Sequence, residues 1–156
     1  MALTFAGIYI SMLLKKRSEY LEKTVLLIEC LILEIEYSSE TLYEIIKCFS
    51  LRNEFKCLDY LLNCNSLIEE GVEYPNAWYD SVSKSKFFNK NEKEKMLQLG
   101  RILGSSNMQT QKRKMKIYLE YFNNFLFVSK KAEEKYASVF LYSGTLLGFG
   151  LFIIII

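Results

Sequence analysis

The two ends of this 156-residue chain carry no charged side chain. All 20 lysines and arginines and all 18 aspartates and glutamates lie between Lys15 and Lys135. Residues 136–156 form a charge-free run, and a helix of that length covers about 30 Å, the thickness of the hydrocarbon core of a bilayer. Residues 1–14 are also apolar but cover only about 21 Å. We therefore predict a C-terminal transmembrane helix and a short N-terminal membrane segment.

Basic residues flank both apolar segments on the side that connects them. Lys15 and Lys16 follow the first segment, whereas Lys131 and Lys135 precede the second. A secretory signal peptide would carry its positive charges before the apolar run, so the first segment is not one. Basic residues next to a membrane segment stay on the cytoplasmic side. The pattern therefore predicts that residues 18–134 form a cytoplasmic domain.

Two glycines lie one helical turn apart within the C-terminal segment. A missing side chain at Gly144 and Gly148 would allow the backbone of another membrane helix to approach closely. We predict that these glycines pack against such a helix, and the N-terminal segment of the chain is one candidate. The alternative is that they face lipid and have no packing role.

The region between the membrane segments has the pattern of an all-α domain. It contains the only proline, its apolar residues recur at spacings of three and four, and no alternating strand pattern of useful length occurs. Ser38 or Ser39 is expected to cap the second helix, and Asn91 with Glu94 is expected to cap the fifth. The predicted helices cover residues 18–37, 41–49, 53–70 with Gly71 as a stop, a short segment from Pro75 that carries Trp78 and Val82, 92–103, and a long segment from about residue 107. The third helix is expected to bury Phe55, Leu58, Leu62 and Leu67.

The sequence LGRILGSSNMQTQ, residues 99–111, has the features of a tight turn between two helices. Gly104 stands where a helix usually ends in the left-handed conformation, and Gly100 allows a neighbouring helix to approach. Ser106 with Gln109 three residues later fits a capping box. A phosphate-binding loop is excluded, because the motif lacks both the Walker lysine and a preceding strand. The residues assigned to this helical hairpin are Gly100, Gly104, Ser106, Asn107 and Gln111.

The last helix is predicted to have a mostly apolar packing face and a basic cluster on the opposite side. Lys112, Arg113 and Lys116 form the cluster. Three interpretations are open: the cluster is solvated, it pairs with the acidic region 19–80 of the same chain, or it binds an acidic partner. That region holds 13 acidic and 4 basic residues, which argues against nucleic-acid binding. The packing face comprises Met108, Gln111, Met115, Tyr118, Phe122, Phe125, Ser129, Ala132 and Tyr136.

A second apolar strip on the last helix lies outside that packing face. It contains Ile117, Tyr121 and Val128. A helix that is apolar on two faces is either deeply buried or in contact with a partner.

The residue inventory argues against an enzyme. The chain has no histidine, which removes the commonest general base and most zinc sites. Its four cysteines show no C-x-x-C spacing and are expected to be reduced and buried. Glu29, Glu34 and Glu36 are the candidate carboxylates, but Glu34 lies about 140° around the helix from Glu29 and about 200° from Glu36, so no paired site forms. We expect no catalytic residues, no metal and no cofactor.

Several short motifs occur along the chain in a fixed order. They are Glu34-Ile35-Glu36-Tyr37, Ala77-Trp78, Leu99-Gly100-x-x-Leu103-Gly104 followed by Gln111, Lys135-Tyr136 and Gly144-x-x-x-Gly148. This set of motifs resembles the stage III sporulation protein AB family of endospore-forming bacteria. The chain departs from the family pattern at Asn107, where the family has an acid, near Thr41, where it has a proline, and in its shorter N-terminal segment.

The resemblance implies both a fold and a role. The fold would be a helical bundle similar to the cytoplasmic domain of the type II secretion F protein. The role would be that of a non-catalytic assembly subunit in the channel between mother cell and forespore, in the outer forespore membrane. The implied partners are the cytoplasmic ATPase of that complex, its other membrane subunits and the lipid bilayer. Self-association is left open, and the alternative function is that of an unrelated small helical membrane adaptor.

Overall fold

The computed structural model describes the backbone of residues 2–37, 40–103 and 108–155. Side chains are described for residues 9–37, 40–103 and 109–136. The structure divides into two compact units, one of Met1–Glu19 with Leu126–Ile156 and the other of Tyr20–Phe125. Every secondary-structure element of the described backbone is a helix, which confirms the prediction of an all-α fold.

The helices follow one another with short connections. They are α1 (Ala2–Tyr37), α2 (Leu42–Leu51), a 3₁₀ turn (Asn53–Phe55), α3 (Asp59–Glu69), α4 (Tyr74–Lys84), α5 (Lys90–Leu103) and α6 (Met108–Ile155). The first and last helices each contribute to both units.

An aromatic cluster forms the centre of the Tyr20–Phe125 unit. The ring of Tyr60 lies 5.8 Å from the indole of Trp78 and 5.4 Å from the ring of Phe88, centroid to centroid. Phe88 in turn lies 5.9 Å from Phe122 on α6, and Tyr20 on α1 packs edge-on against Phe88. Large aromatic side chains bury the most apolar area per residue, so this cluster ties α1, α3, α4 and α6 together.

The predicted third helix is wrong in its extent and wrong for two of the four residues of its buried face. Phe55 and Leu58 are buried as predicted. A 3₁₀ turn ends at Phe55, and α3 begins only at Asp59. The buried residues of α3 are Tyr60, Leu61 and Cys64, whereas Leu62 is exposed and Leu67 is half-buried. Asp59, the first residue of α3, makes tertiary contacts that are described below and that local periodicity does not reveal.

The end of α3 confirms the stop predicted at Gly71. This glycine has φ of 91°, the left-handed region, and its amide donates to the carbonyl of Ile68. The amide of Val72 donates to the carbonyl of Leu67 at 2.9 Å. These two bonds form a Schellman motif, in which glycine avoids the steric cost of positive φ. Pro75 lies in the first turn of α4, as its fixed φ favours.

Two helix caps differ from the predicted ones. The cap of α2 is Thr41, whose hydroxyl accepts from the amide of Glu44, while Ser38 and Ser39 lie outside the described residues. The cap of α5 is Asn89 and not Asn91. The side-chain oxygen of Asn89 accepts from the backbone amide of Glu92 at 2.9 Å, and the Glu92 carboxylate accepts from the backbone amide of Asn89 at 2.7 Å. Both boxes fit the sequence, and the structure forms the one that begins at Asn89.

The cap assignment leads to a prediction with a matched control two residues away. Asn89→Ala should lower the free energy of unfolding by about 1 kcal/mol, because it leaves an amide at the start of α5 without a partner. Asn91→Ala should change it by less than about 0.5 kcal/mol. Urea unfolding followed by the fluorescence of the single tryptophan measures both, and equal effects would contradict the assignment.

The unit of Met1–Glu19 and Leu126–Ile156 pairs segments of α1 and α6. The hydroxyls of Ser18 and Ser129 are both buried and lie 3.0 Å apart. Tyr9, Met12 and Leu13 are exposed. In the part of the chain whose side chains are described, no helix is long and apolar enough to cross a bilayer. Residues 1–8 and 137–156, which carry most of the predicted membrane segments, lie outside that part, so both segments stay predictions.

Candidate partner-binding surface

The connection between α5 and α6 is closed by a buried glutamine. The Gln111 side-chain amide donates to the carbonyl of Leu103, the last residue of α5, at 2.8 Å. Carbonyls at a helix C-terminus have no partner within the helix, so this bond satisfies one of them. Gln111 therefore stabilises the hairpin at the end of α5. Gly104, Ser106 and Asn107, the other hairpin residues predicted nearby, lie outside the described residues.

Gly100 is a point of close contact between α4 and α5. A Cβ atom built on Gly100 would lie 2.8 Å from Cγ of Trp78 and closer still to Cδ1 and Nε1. The indole nitrogen of Trp78 donates to the carbonyl of Met96 at 3.0 Å, and the hydroxyl of Tyr74 donates to the carbonyl of Gly100. The close approach expected at Gly100 thus involves Trp78, and the two motifs Ala77-Trp78 and Leu99-Gly100 meet in one contact.

The three residues of the predicted basic cluster on α6 have different surroundings in the structure. Lys112 forms an ion pair with Glu36 of α1. Arg113 and Lys116 are exposed. Of the three interpretations left open, pairing with the acidic region of the chain therefore applies to Lys112, and the surface available to a partner is reduced to the other two residues.

A groove between α5 and α6 carries a second group of basic residues that sequence reasoning missed. Its volume is about 410 Å³, and two of its lining residues are joined by a hydrogen bond from the Tyr118 hydroxyl to Gln98 at 3.2 Å. The ammonium of Lys95 lies 4.6 Å from the ring centroid of Tyr121, a cation–π contact. The groove is lined by Lys95, Gln98, Arg101, Ile102, Lys114, Ile117, Tyr118 and Tyr121. Its basic residues come from two helices, so no single stretch of sequence displays them together.

Two of the three candidate carboxylates, Glu34 and Glu36, form ion pairs with basic residues of other helices or turns. Glu34 pairs with Arg52 at 3.7 Å, and no group of ligating side chains that could hold a metal occurs among the described residues. None of the four cysteines, all of which lie among the described residues, forms a disulfide. Burial raises the pKa of the Cys64 thiol to about 12, which keeps it protonated and unreactive. Cys48 and Cys57 are exposed, so the expectation that every cysteine is buried is wrong for these two.

The stage III sporulation protein AB family model matches residues 1–156, the whole chain. The chain belongs to this family. Its similarity to a solved structure, "Stage III sporulation protein AB (SpoIIIAB)", has a TM-score of 0.58 at 19% sequence identity and covers 77% of this chain and 98% of that chain. At that identity the structural similarity supports the fold alone. A comparison with curated proteins produced no match.

Family membership confirms the resemblance drawn from the short motifs and with it a role in sporulation. In this member of the stage III sporulation protein AB family, the described motif residues have structural contacts. Trp78 and Gly100 pack together, Gln111 closes the hairpin, and Glu36 anchors Lys112. Gly144 and Gly148 lie in α6 beyond the residues whose surroundings are described.

A buried polar cluster beneath the aromatic core was also missed by sequence reasoning. The Tyr20 hydroxyl donates to the carboxylate of Asp59, and the hydroxyl of Ser85 donates to the same carboxylate oxygen at 3.1 Å. The backbone amide of Lys86 donates to the other oxygen. Burial is the main cause that raises the pKa of Tyr20 above its ordinary value. The cluster joins α1, the first residue of α3 and the residues that follow α4.

Proposed function

We propose that this protein is a non-catalytic assembly subunit of the channel between mother cell and forespore, held in the outer forespore membrane. The single observation that carries the proposal is the match of the stage III sporulation protein AB family over the whole chain. Family membership argues against the alternative of an unrelated membrane adaptor. The all-helical fold is consistent with an assembly role.

Membrane attachment is supported by apolar side chains that are exposed on the surface. Ile10, Met12 and Leu13 are exposed on α1, and residues 136–156 carry no charge. Several apolar side chains exposed together mark a surface that contacts lipid or protein. We assign residues 136–156 to a transmembrane helix and residues 1–14 to a short membrane segment. Close packing of a second membrane helix on Gly144 and Gly148 belongs to the same proposal.

The cytoplasmic partner in this proposal is the ATPase of the complex. Arg113 and Lys116 are exposed on α6 and lie one turn apart. Exposed charges at the rim of an interface act mostly on the rate of association and little on the dissociation rate. We therefore assign these two residues to steering of an acidic surface on the ATPase.

The test is the association rate of the purified ATPase with the full-length chain in detergent. Arg113→Glu with Lys116→Glu should lower this rate about 10-fold at low salt, and the wild-type rate should fall as salt is added. Lys56→Glu with Lys86→Glu is the matched control, because both lysines are exposed and the change in net charge is the same. Equal association rates for the two double variants would overturn the assignment.

Lys112→Glu separates docking from stability. Because Lys112 pairs with Glu36 within the chain, this reversal should lower the unfolding midpoint in urea and leave the association rate close to that of the wild type. A lower association rate with an unchanged unfolding midpoint would contradict this prediction and would place Lys112 on the surface that binds the ATPase.

A further inference from the structure

The groove between α5 and α6 combines positive charge with exposed apolar surface. Among the described residues, none of the ion pairs formed involves Lys95, Arg101 or Lys114. Ile117 and Tyr121, which line the same groove, are 48% and 42% exposed. Exposed side chains of this size, set among cations that lack a carboxylate partner, are typical of a surface that binds an acidic amphipathic segment.

One face of α1 has the complementary character. Glu29, Leu33 and Tyr37 recur at a spacing of four and therefore lie along one side of the helix. Leu33 is 55% exposed and Tyr37 is 80% exposed, while Glu29 is exposed beside them. We call these three residues the α1 strip. Its length of about 12 Å is close to the length of about 9 Å that separates Lys95 from Arg101 along α5.

We propose that the α5–α6 groove of one copy of this protein binds the α1 strip of a second copy. The carboxylate of Glu29 would lie among the cations of the groove, and Leu33 and Tyr37 would cover Ile117 and Tyr121. Both halves of the interface are present on every chain, and the net charges of the two regions are opposite. Residues 19–80 hold 13 acidic and 4 basic residues, whereas residues 84–135 hold 5 acidic and 13 basic residues.

The position of the two surfaces determines the kind of assembly. Lys112 faces α1, since it pairs with Glu36, and Lys114 lies about 200° from it around α6. The groove and the α1 strip are therefore on opposite sides of α6, and one partner copy cannot occupy both. Such a contact is heterologous: it repeats from copy to copy and gives a closed ring or an open row, not a two-fold dimer.

The experiment is a charge exchange between the two surfaces, measured by sedimentation velocity of the full-length chain in a nonionic detergent. Wild-type protein should form oligomers that dissociate as salt is added. The groove variant, Lys95→Glu with Lys114→Glu, and the strip variant, Glu29→Lys with Leu33→Lys, should each associate with themselves at least about 100-fold more weakly. An equimolar mixture of the two variants should recover the oligomers, because the reversed groove then meets a reversed strip.

Matched controls separate this contact from general effects of charge. Lys56→Glu with Lys86→Glu repeats the charge change of the groove variant, and Glu70→Lys with Leu62→Lys repeats that of the strip variant on exposed positions of other segments. Both controls should associate as the wild type does. A wild-type monomer at every protein concentration, or a mixture that stays monomeric while each variant keeps its wild-type unfolding midpoint, would overturn the proposal. This test does not involve Arg113 or Lys116, so its outcome is independent of ATPase docking.

Discussion

Replacement of Trp78 by alanine is expected to lower the free energy of unfolding by about 3–5 kcal/mol. The indole is buried against Tyr60 and Tyr74, and its nitrogen donates to the carbonyl of Met96. Alanine would leave a cavity between α4 and α5 and a buried carbonyl without its partner, and both effects act in the same direction. Urea unfolding followed by far-UV circular dichroism measures the loss, because the variant no longer contains a tryptophan.

Gly100 provides the control for that prediction. Gly100→Ala in the wild-type background should cost about 1–3 kcal/mol, since the added methyl group would overlap the indole ring and α4 would have to move. In the Trp78→Ala background the same methyl group would enter the cavity, so it should cost nothing or stabilise the protein. The two positions must therefore show strong coupling in a double-mutant cycle. Additive effects would mean that the close approach of α4 to α5 does not depend on Gly100.

The parts of the fold that could be predicted from the sequence are those whose physical cause is local. Gly71 ends α3 because a Schellman motif needs positive φ at that position, and Pro75 lies in the first turn of α4 because its φ is already helical. Gly100 was expected to admit a neighbour for a similar reason: no other residue leaves so much room on a helix face. The structural role of such residues follows from their own backbone preference or size and from neighbours within a few positions of sequence.

The parts that could not be predicted depend on residues distant in sequence. Asp59, the first residue of α3, is held by Tyr20 and Ser85, and none of the three is near another along the chain. The pairing of Lys112 with Glu36 was one of three open interpretations, and only the position of α1 beside α6 selects it. Charge counts can show that two halves of a chain attract each other, but not which lysine meets which carboxylate.

Tyr20→Phe is expected to lower the free energy of unfolding by about 1.5–3 kcal/mol at neutral pH. The substitution keeps the ring that packs against Phe87 and Phe88 and removes only the hydroxyl that binds Asp59 and Ser85. Loss of a buried hydrogen bond to a carboxylate is the dominant effect. Tyr20→Ala, which also removes the ring, should cost more by about 3 kcal/mol. Urea unfolding followed by Trp78 fluorescence measures both variants, because Trp78 is in contact with the same cluster through Tyr60.

The pH dependence of the stability difference between wild type and Tyr20→Phe distinguishes the contribution of the hydroxyl from that of ring packing. Burial raises the pKa of Tyr20 in the folded protein, so between the ordinary value of about 10 and the raised value only the unfolded chain loses the proton. The unfolded state then binds fewer protons than the folded state, and the stability of the wild type falls as pH rises above about 10, by up to about 1.4 kcal/mol per pH unit from this group. Tyr60 and Cys64 add to the fall in both proteins, since burial raises their pKa values too.

Phenylalanine at position 20 has no proton to lose, so the two proteins must respond differently to alkali. The stability advantage of wild type over Tyr20→Phe should be constant from pH 7 to about pH 9 and should shrink above about pH 10, and the two unfolding midpoints should converge near pH 11 to 12. Because the other buried groups titrate equally in both proteins, their contribution cancels in the difference. An advantage that stays constant through pH 11 would show that the Tyr20 hydroxyl ionises as readily in the folded protein as in the unfolded chain. The buried bond to Asp59 would then not be what holds α1 to the start of α3.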